Sequence, residues 1–94
     1  MNDSQAPIPG TGDPTIAHQP ERQRFVARVG NDQAVLDYRL LAGGGIDFCH
    51  THVPDHLRGR GVAETLVRAG LAWARGEGLR IQASCWYVQR FLRT

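Results

Sequence analysis

The sequence predicts a small α+β domain built on a mixed, mostly antiparallel sheet, with elements in the order β-β-β-α-β-α. Three observations carry that expectation. Short runs of period-two alternation separated by Gly-rich turns fill the chain from residue 22 to 53. A single stretch of helical period covers residues 62–75, and a short apolar run follows it.

Residues 1–21 hold four of the five prolines, Pro7, Pro9, Pro14 and Pro20, among Gly, Ser, Thr, Gln and Asp. They show no apolar period and are expected to form a disordered tail, leaving residues 22–94 as the only domain. In the first strand Phe25, Ala27 and Val29 alternate with Arg24, Val26 and Arg28, and Gly30-Asn31-Asp32 turns the chain. A second strand, Val35 to Leu41, aligns Leu36, Tyr38 and Leu40 before the turn Gly43-Gly44-Gly45. The third, Ile46 to Val53, is read with Phe48, His50 and His52 on one face and Cys49, Thr51 and Val53 on the other. Pro54 biases Val53 toward an extended conformation and marks where this strand leaves the ladder.

The helix is expected over Val62 to Arg75, with Val62, Leu66, Val67, Gly70, Trp73 and Ala74 as its apolar stripe and Glu64 and Arg68 as an i,i+4 pair. Gly76 or Gly78 ends it, and Leu79 to Ala83 reads as the fourth strand. Because that strand is reached through a helix, it can lie parallel to the third by a right-handed crossover. Ser84 is placed to cap a last short helix that buries Val88, Phe91 and Leu92.

Composition narrows the function. About seventy ordered residues bury only ~60% of their unfolded surface, so a bound ligand or a second subunit is expected to add stability, as monomer or homodimer. All eleven basic residues are arginine, and from Arg58 onward seven arginines face only two acids, Glu64 and Glu77. Forked guanidinium groups in that half suit an anionic ligand. Two cysteines, Cys49 and Cys85, without a repeated metal spacing, and no secretory signal pattern, point to a cytoplasmic protein. The apolar runs fall far short of the ~20 residues that cross a bilayer, so no membrane partner is expected.

The segment Arg58-Gly59-Arg60-Gly61-Val62-Ala63 lies between the third strand and the helix, where free backbone N–H groups and the positive helix end can hold a phosphate. No Ser, Thr, Asn or Asp stands at the N-cap to satisfy those donors, which leaves them to water or to an anion. A P-loop is excluded because the chain has no lysine to follow the glycines. A dinucleotide fingerprint fails as well: counting ~20 residues on from Gly61 reaches Arg80 to Ala83 and no acid.

Arg58-x-x-Gly61-x-Ala63, preceded by Val53-Pro54 and followed by an amphipathic helix, resembles the pyrophosphate-binding signature of the GNAT N-acetyltransferase superfamily. With His50-Thr51-x-Val53-Pro54 and Cys85-x-Tyr87-Val88, the chain is more narrowly similar to the short YjdJ-type GNAT-like domains. The resemblance implies the acyl-CoA N-acyltransferase fold in minimal form and acetyl-CoA (or CoA) as cosubstrate, with no metal. Backbone amides of Arg58, Gly59, Arg60, Gly61, Val62 and Ala63 would hold the pyrophosphate. The strand end near Val53 would pair with the pantetheine amides, and the thioester would lie toward Cys85. Larger members place two helices between their first strands to build the acceptor pocket, whereas here Gly30-Asn31-Asp32 is the whole connection. The acceptor site is therefore left undefined, and because the sequence stops at Thr94, soon after the last helix, the pantetheine slot is expected to be shallower or completed by a second subunit.

Three residues are candidates for the chemical step. Cys85 can accept the acetyl group, act as a base on the acceptor, or simply pack. His50 can serve as a general base, or be a strand histidine bonded to a neighbour or water. Tyr87 can protonate the departing CoA thiolate, as the resemblance implies, or pack. His50, His52 and His56 form a His-x-His-x-x-x-His string, but three ligands without fixed geometry do not close a structural zinc site. The sequence thus points to an acetyl-CoA-dependent N-acetyltransferase acting on a small-molecule or protein amine. The alternative is a non-catalytic acyl-CoA binding or sensing module. Nucleic acid is not an expected partner, because the arginine-rich half lacks the exposed aromatic-basic strand pattern of single-strand binders.

Overall fold

The computed structural model describes residues 15–92. One sheet carries five strands in the spatial order of the chain: β1 (Thr15–Gln19), β2 (Arg24–Val29), β3 (Asp32–Leu41), β4 (Gly45–His52) and β5 (Arg80–Ala83). The first four are antiparallel, and β5 lies parallel to β4, as its helical connection requires. The helix α1 (Val62–Gly76) crosses between β4 and β5, and the one-turn helix α2 (Trp86–Gln89) follows β5. The α+β class and the mixed, mostly antiparallel sheet are as the sequence predicts.

The tail expectation is corrected over residues 15–21; residues 1–14 lie outside the described part. Thr15–Gln19 pairs with β2, setting Ile16 opposite Ala27 and His18 opposite Phe25. Pro20 follows this strand and opens the short 3-10 turn Pro20–Arg22. The His18 ring stacks on Phe25 with centroids 4.1 Å apart and meets the Trp73 ring edge-on at 4.5 Å. Its Nε2 lies 2.7 Å from the Tyr38 hydroxyl. A polar residue thus does the packing of an apolar one, and that hides the strand from a hydrophobic-period reading.

The core forms where one sheet face meets α1. Phe25, Ala27, Ala34, Leu36, Tyr38, Ile46 and Phe48 from the strands enclose Val62, Leu66, Val67, Leu71 and Ala74 from the helix. Close approach depends on Gly70: a Cβ there would stand 2.9 Å from Leu36 Cδ2 and 3.0 Å from Phe48 Cε1. Trp73 stays partly buried, and Leu71 takes a core place that the predicted stripe omitted.

A β-bulge in β4 sets the geometry of everything near the site. Asp37 pairs with His50 and Tyr38 with Phe48, so Cys49 is the extra residue. One inserted residue shifts the side-chain phase by one. Thr51, opposite Leu36, comes onto the helix-facing side with Phe48, while His50 joins exposed His52 on the open face. The expected grouping of Phe48 with His50 and His52 is therefore corrected.

Candidate functional site

Between β4 and β5 the sheet opens. Parallel pairing ends at Phe48 and Ala83, and the last backbone bond across the seam among the described residues runs from Cys85 N–H to the Phe48 carbonyl at 3.1 Å. Beyond it β4 continues to His52 while the other chain turns into α2. The gap is a cavity of about 530 Å³ lined by the end of β4, the start of α1 and the start of α2.

The wall at the start of α1 is backbone. Gly59 and Gly61 have φ of 81° and 78°, in the left-handed region where a side chain is strained. Gly61 is the N-cap, with no side-chain cap bond. Its carbonyl accepts the first helical bond, from Thr65 N–H at 3.0 Å, so the N–H groups of Val62, Ala63 and Glu64 have no partner within the helix. Arg58 braces the approach: its Nε donates to the Val53 carbonyl at 3.1 Å and its guanidinium lies 3.3 Å from Asp55. Val53 itself is buried beneath the loop.

Cys85 faces this wall from the other side, and it is the N-cap of α2. Ser84, expected there as the cap, is committed elsewhere. Its N–H and its hydroxyl each donate to a different carboxylate oxygen of the nearly buried Asp47, both at 2.7 Å. That double bond pins the turn that presents the cysteine. Cys85 Sγ lies 3.5 Å from Thr51 Oγ1. Burial pushes the thiol up, but hydrogen bonds from the Thr51 hydroxyl and from the backbone of Val88, Tyr87 and Thr51 outweigh it, and the net direction is down. For Tyr87, burial and the Glu64 carboxylate both push the phenol up against the pull of Arg90, so it stays protonated at neutral pH. Both cysteines are free thiols.

Of the residues singled out from the sequence, Val53, Arg58, Gly59, Gly61, Val62, Ala63, Cys85 and Tyr87 line one cavity. Arg60 lies exposed on the turn and outside the lining, and His50 stands exposed on β4, away from Cys85. His56 pairs with Asp32 at 2.7 Å. Thr51, Leu57, Glu64 and Trp86 also line the cavity, and the sequence reading gave them no role there. Trp86, 69% exposed beside the cysteine, is the one with a visible signal: a large aromatic next to a candidate nucleophile.

A splayed parallel strand pair, an uncapped glycine-turned helix start and a small mixed sheet together define the GNAT class of acyltransferase-like domains. The family described as GCN5-related N-acetyl-transferase matches residues 24–94, and the chain belongs to that family. It is similar to Protein NATD1 of Bos taurus, 39% identical over 80 residues that cover 83% of this chain and 71% of that protein. Protein NATD1 of Gallus gallus is 36% identical over 83% of this chain and 73% of its own length. The Homo sapiens protein of that name is 36% identical over 83% and 71%. Family membership implies an acyl-CoA cosubstrate in general and an acetyltransferase-like function.

Proposed function

We propose that this chain transfers an acetyl group from acetyl-CoA to an amine, small-molecule or protein-borne, as a short YjdJ-type acetyltransferase of the cytoplasm. One observation carries the reading: a single cavity presents the unpaired N–H groups of the first turn of α1 and, opposite them, the sulfur of Cys85. Backbone from Arg58 to Ala63 binds the pyrophosphate, with the positive end of α1 behind it. The Val53 carbonyl keeps a lone pair beside its Arg58 bond for an amide of the pantetheine arm.

Acetyl-CoA supplies an activated thioester carbonyl. By one route the Cys85 thiolate forms a bond to that carbonyl carbon as the bond to the CoA sulfur breaks, and the Tyr87 hydroxyl gives the departing thiolate its proton. The amine then displaces acetyl-Cys85, forming the amide, and its proton returns to the Tyr87 phenolate. By the direct route the amine nitrogen bonds to the carbonyl carbon as the bond to the CoA sulfur breaks, the Cys85 thiolate takes the amine's proton, and that proton passes from Cys85 to the departing CoA thiolate. His50, exposed on the outer face, has no part in either.

The test is acetyl transfer followed by free CoA release, with the Cys85 peptide analysed by mass spectrometry after brief exposure to acetyl-CoA without an amine. Acetylated Cys85 and amine-dependent CoA release are expected. Binding of acetyl-CoA without transfer to any amine, unchanged by Cys85→Ala, would instead support an acyl-CoA sensing module.

A further inference from the structure

Thr51 is a strand residue that a regular β4 would turn away from the helix layer on which Phe48 lies. The extra residue at Cys49 reverses the phase and brings the Thr51 hydroxyl to the cavity, 3.5 Å from Cys85 Sγ. The sequence neighbours on either side, His50 and His52, are carried to the exposed face by the same shift. Cys85 is anchored to the same strand on the near side of the bulge, since Asp47 holds Ser84 by two bonds and the Cys85 N–H bonds the Phe48 carbonyl. The hydroxyl and the sulfur thus meet where the bonds before the bulge and the phase shift after it converge, and their contact is not a product of side-chain drift.

We propose that Thr51 is a positioning residue that favours the thiolate form of Cys85 and aims it into the cavity, by donating its hydroxyl hydrogen to the sulfur. A neutral thiol could donate to the Thr51 oxygen instead; only the charged sulfur turns the pair into a charge-assisted bond, which is the stronger of the two. The other charged or titratable groups lining the cavity are Arg58 from the loop, Glu64 from α1 and Tyr87 from α2. Glu64 is paired with Arg68 at 2.8 Å and Arg58 with Asp55 at 3.3 Å, and Tyr87 remains neutral. The Thr51 hydroxyl is the side-chain donor within reach of Cys85 Sγ among the described residues. The inference rests on the acyl-transfer reading for its purpose but not for its test, which needs no CoA.

The experiment is the pH dependence of iodoacetamide alkylation of the full chain, read peptide by peptide so that Cys49 serves as the internal reference. Thr51→Val keeps the shape and removes the donor; Thr51→Ser keeps the donor. The Cys85 midpoint is expected below the ordinary thiol value of 9.0 in the native chain. It should rise by about one pH unit in Thr51→Val and stay low in Thr51→Ser. The rate at neutral pH should fall only roughly threefold in Thr51→Val, because a more basic sulfur is also more nucleophilic. Cys49 should be unmoved in both. Should Thr51→Val not fold, Thr51→Ala removes the same donor. An unchanged Cys85 midpoint in a folded donor-free variant, or a Thr51→Ser midpoint as high as Thr51→Val, would overturn the proposal. Failure of acetyl-CoA to bind would leave it standing, so the two claims fail separately.

Discussion

Asp47 is 9% exposed, and both of its oxygens are spent on Ser84 at 2.7 Å, one on the amide and one on the hydroxyl. Hydrogen bonds to a charged group are worth about 1.5–3 kcal/mol each when a partner is removed. Asp47→Ala should therefore lower unfolding free energy by about 3–5 kcal/mol in a urea titration, whereas Ser84→Ala, which keeps the amide bond, should cost about 1.5–2 kcal/mol. Equal losses would mean the amide bond contributes nothing. The same pair shows what one residue can and cannot reveal in sequence. Cys85, Tyr87, Gly59 and Gly61 are legible because their chemistry or their freedom in φ is intrinsic to the residue type. Asp47 and Thr51 are not, since their roles come from partners 37 and 34 positions away and from a bulge that no composition marks.

At the scale of elements, the seating of α1 and the docking of β1 are the two features that single contacts decide. Gly70→Val would drive methyl groups into Leu36 and Phe48, which already stand 2.9 and 3.0 Å from a bare Cβ. Overpacking of this kind costs about 1–3 kcal/mol, to which β-branching in a helix adds little, so the melting temperature should drop by roughly 5–20 °C. An unchanged melting temperature would show that α1 can ride outward. For β1, burial lowers the pKa of His18 from 6.5, with Glu21 opposing more weakly. A depressed folded value means the unfolded chain binds the proton more readily. His18 therefore contributes stability above pH 6.5 that is lost as pH falls below it through the folded value. His18→Gln should be less stable than the native chain at pH 7.5 and should lose less on going to pH 5, measured by urea midpoint. Parallel curves would remove His18 from the account. Strands β2 to β4 and the helix are readable from period alone; β1 is not, because its inward positions are Ile16 and His18 between two prolines of the sequence, and a histidine among aromatics carries no apolar signal.

For the whole molecule, the layout follows from a parallel seam that stops early. Once β4 and β5 part after Phe48 and Ala83, the β4 edge, the start of α1 and the start of α2 enclose a space with the first-turn N–H groups of α1 on one wall and the Cys85 sulfur on the other. Of the seven arginines after residue 57, Arg58 lines that opening and puts a guanidinium at its edge. A domain this small gains much from a ligand that binds only its folded form. The direct test is the melting temperature of the full chain titrated with acetyl-CoA, CoA and ATP, beside a Gly61→Glu variant that strains the left-handed N-cap and places a carboxylate at the proposed pyrophosphate site. Saturable stabilisation by the two CoA species but not by ATP is expected, about 2.7 kcal/mol at ~100 times the dissociation constant and so on the order of 10 °C, and lost in Gly61→Glu. No shift with either CoA species, or an equal shift in the variant, would contradict the claim that this cavity is an acyl-CoA site.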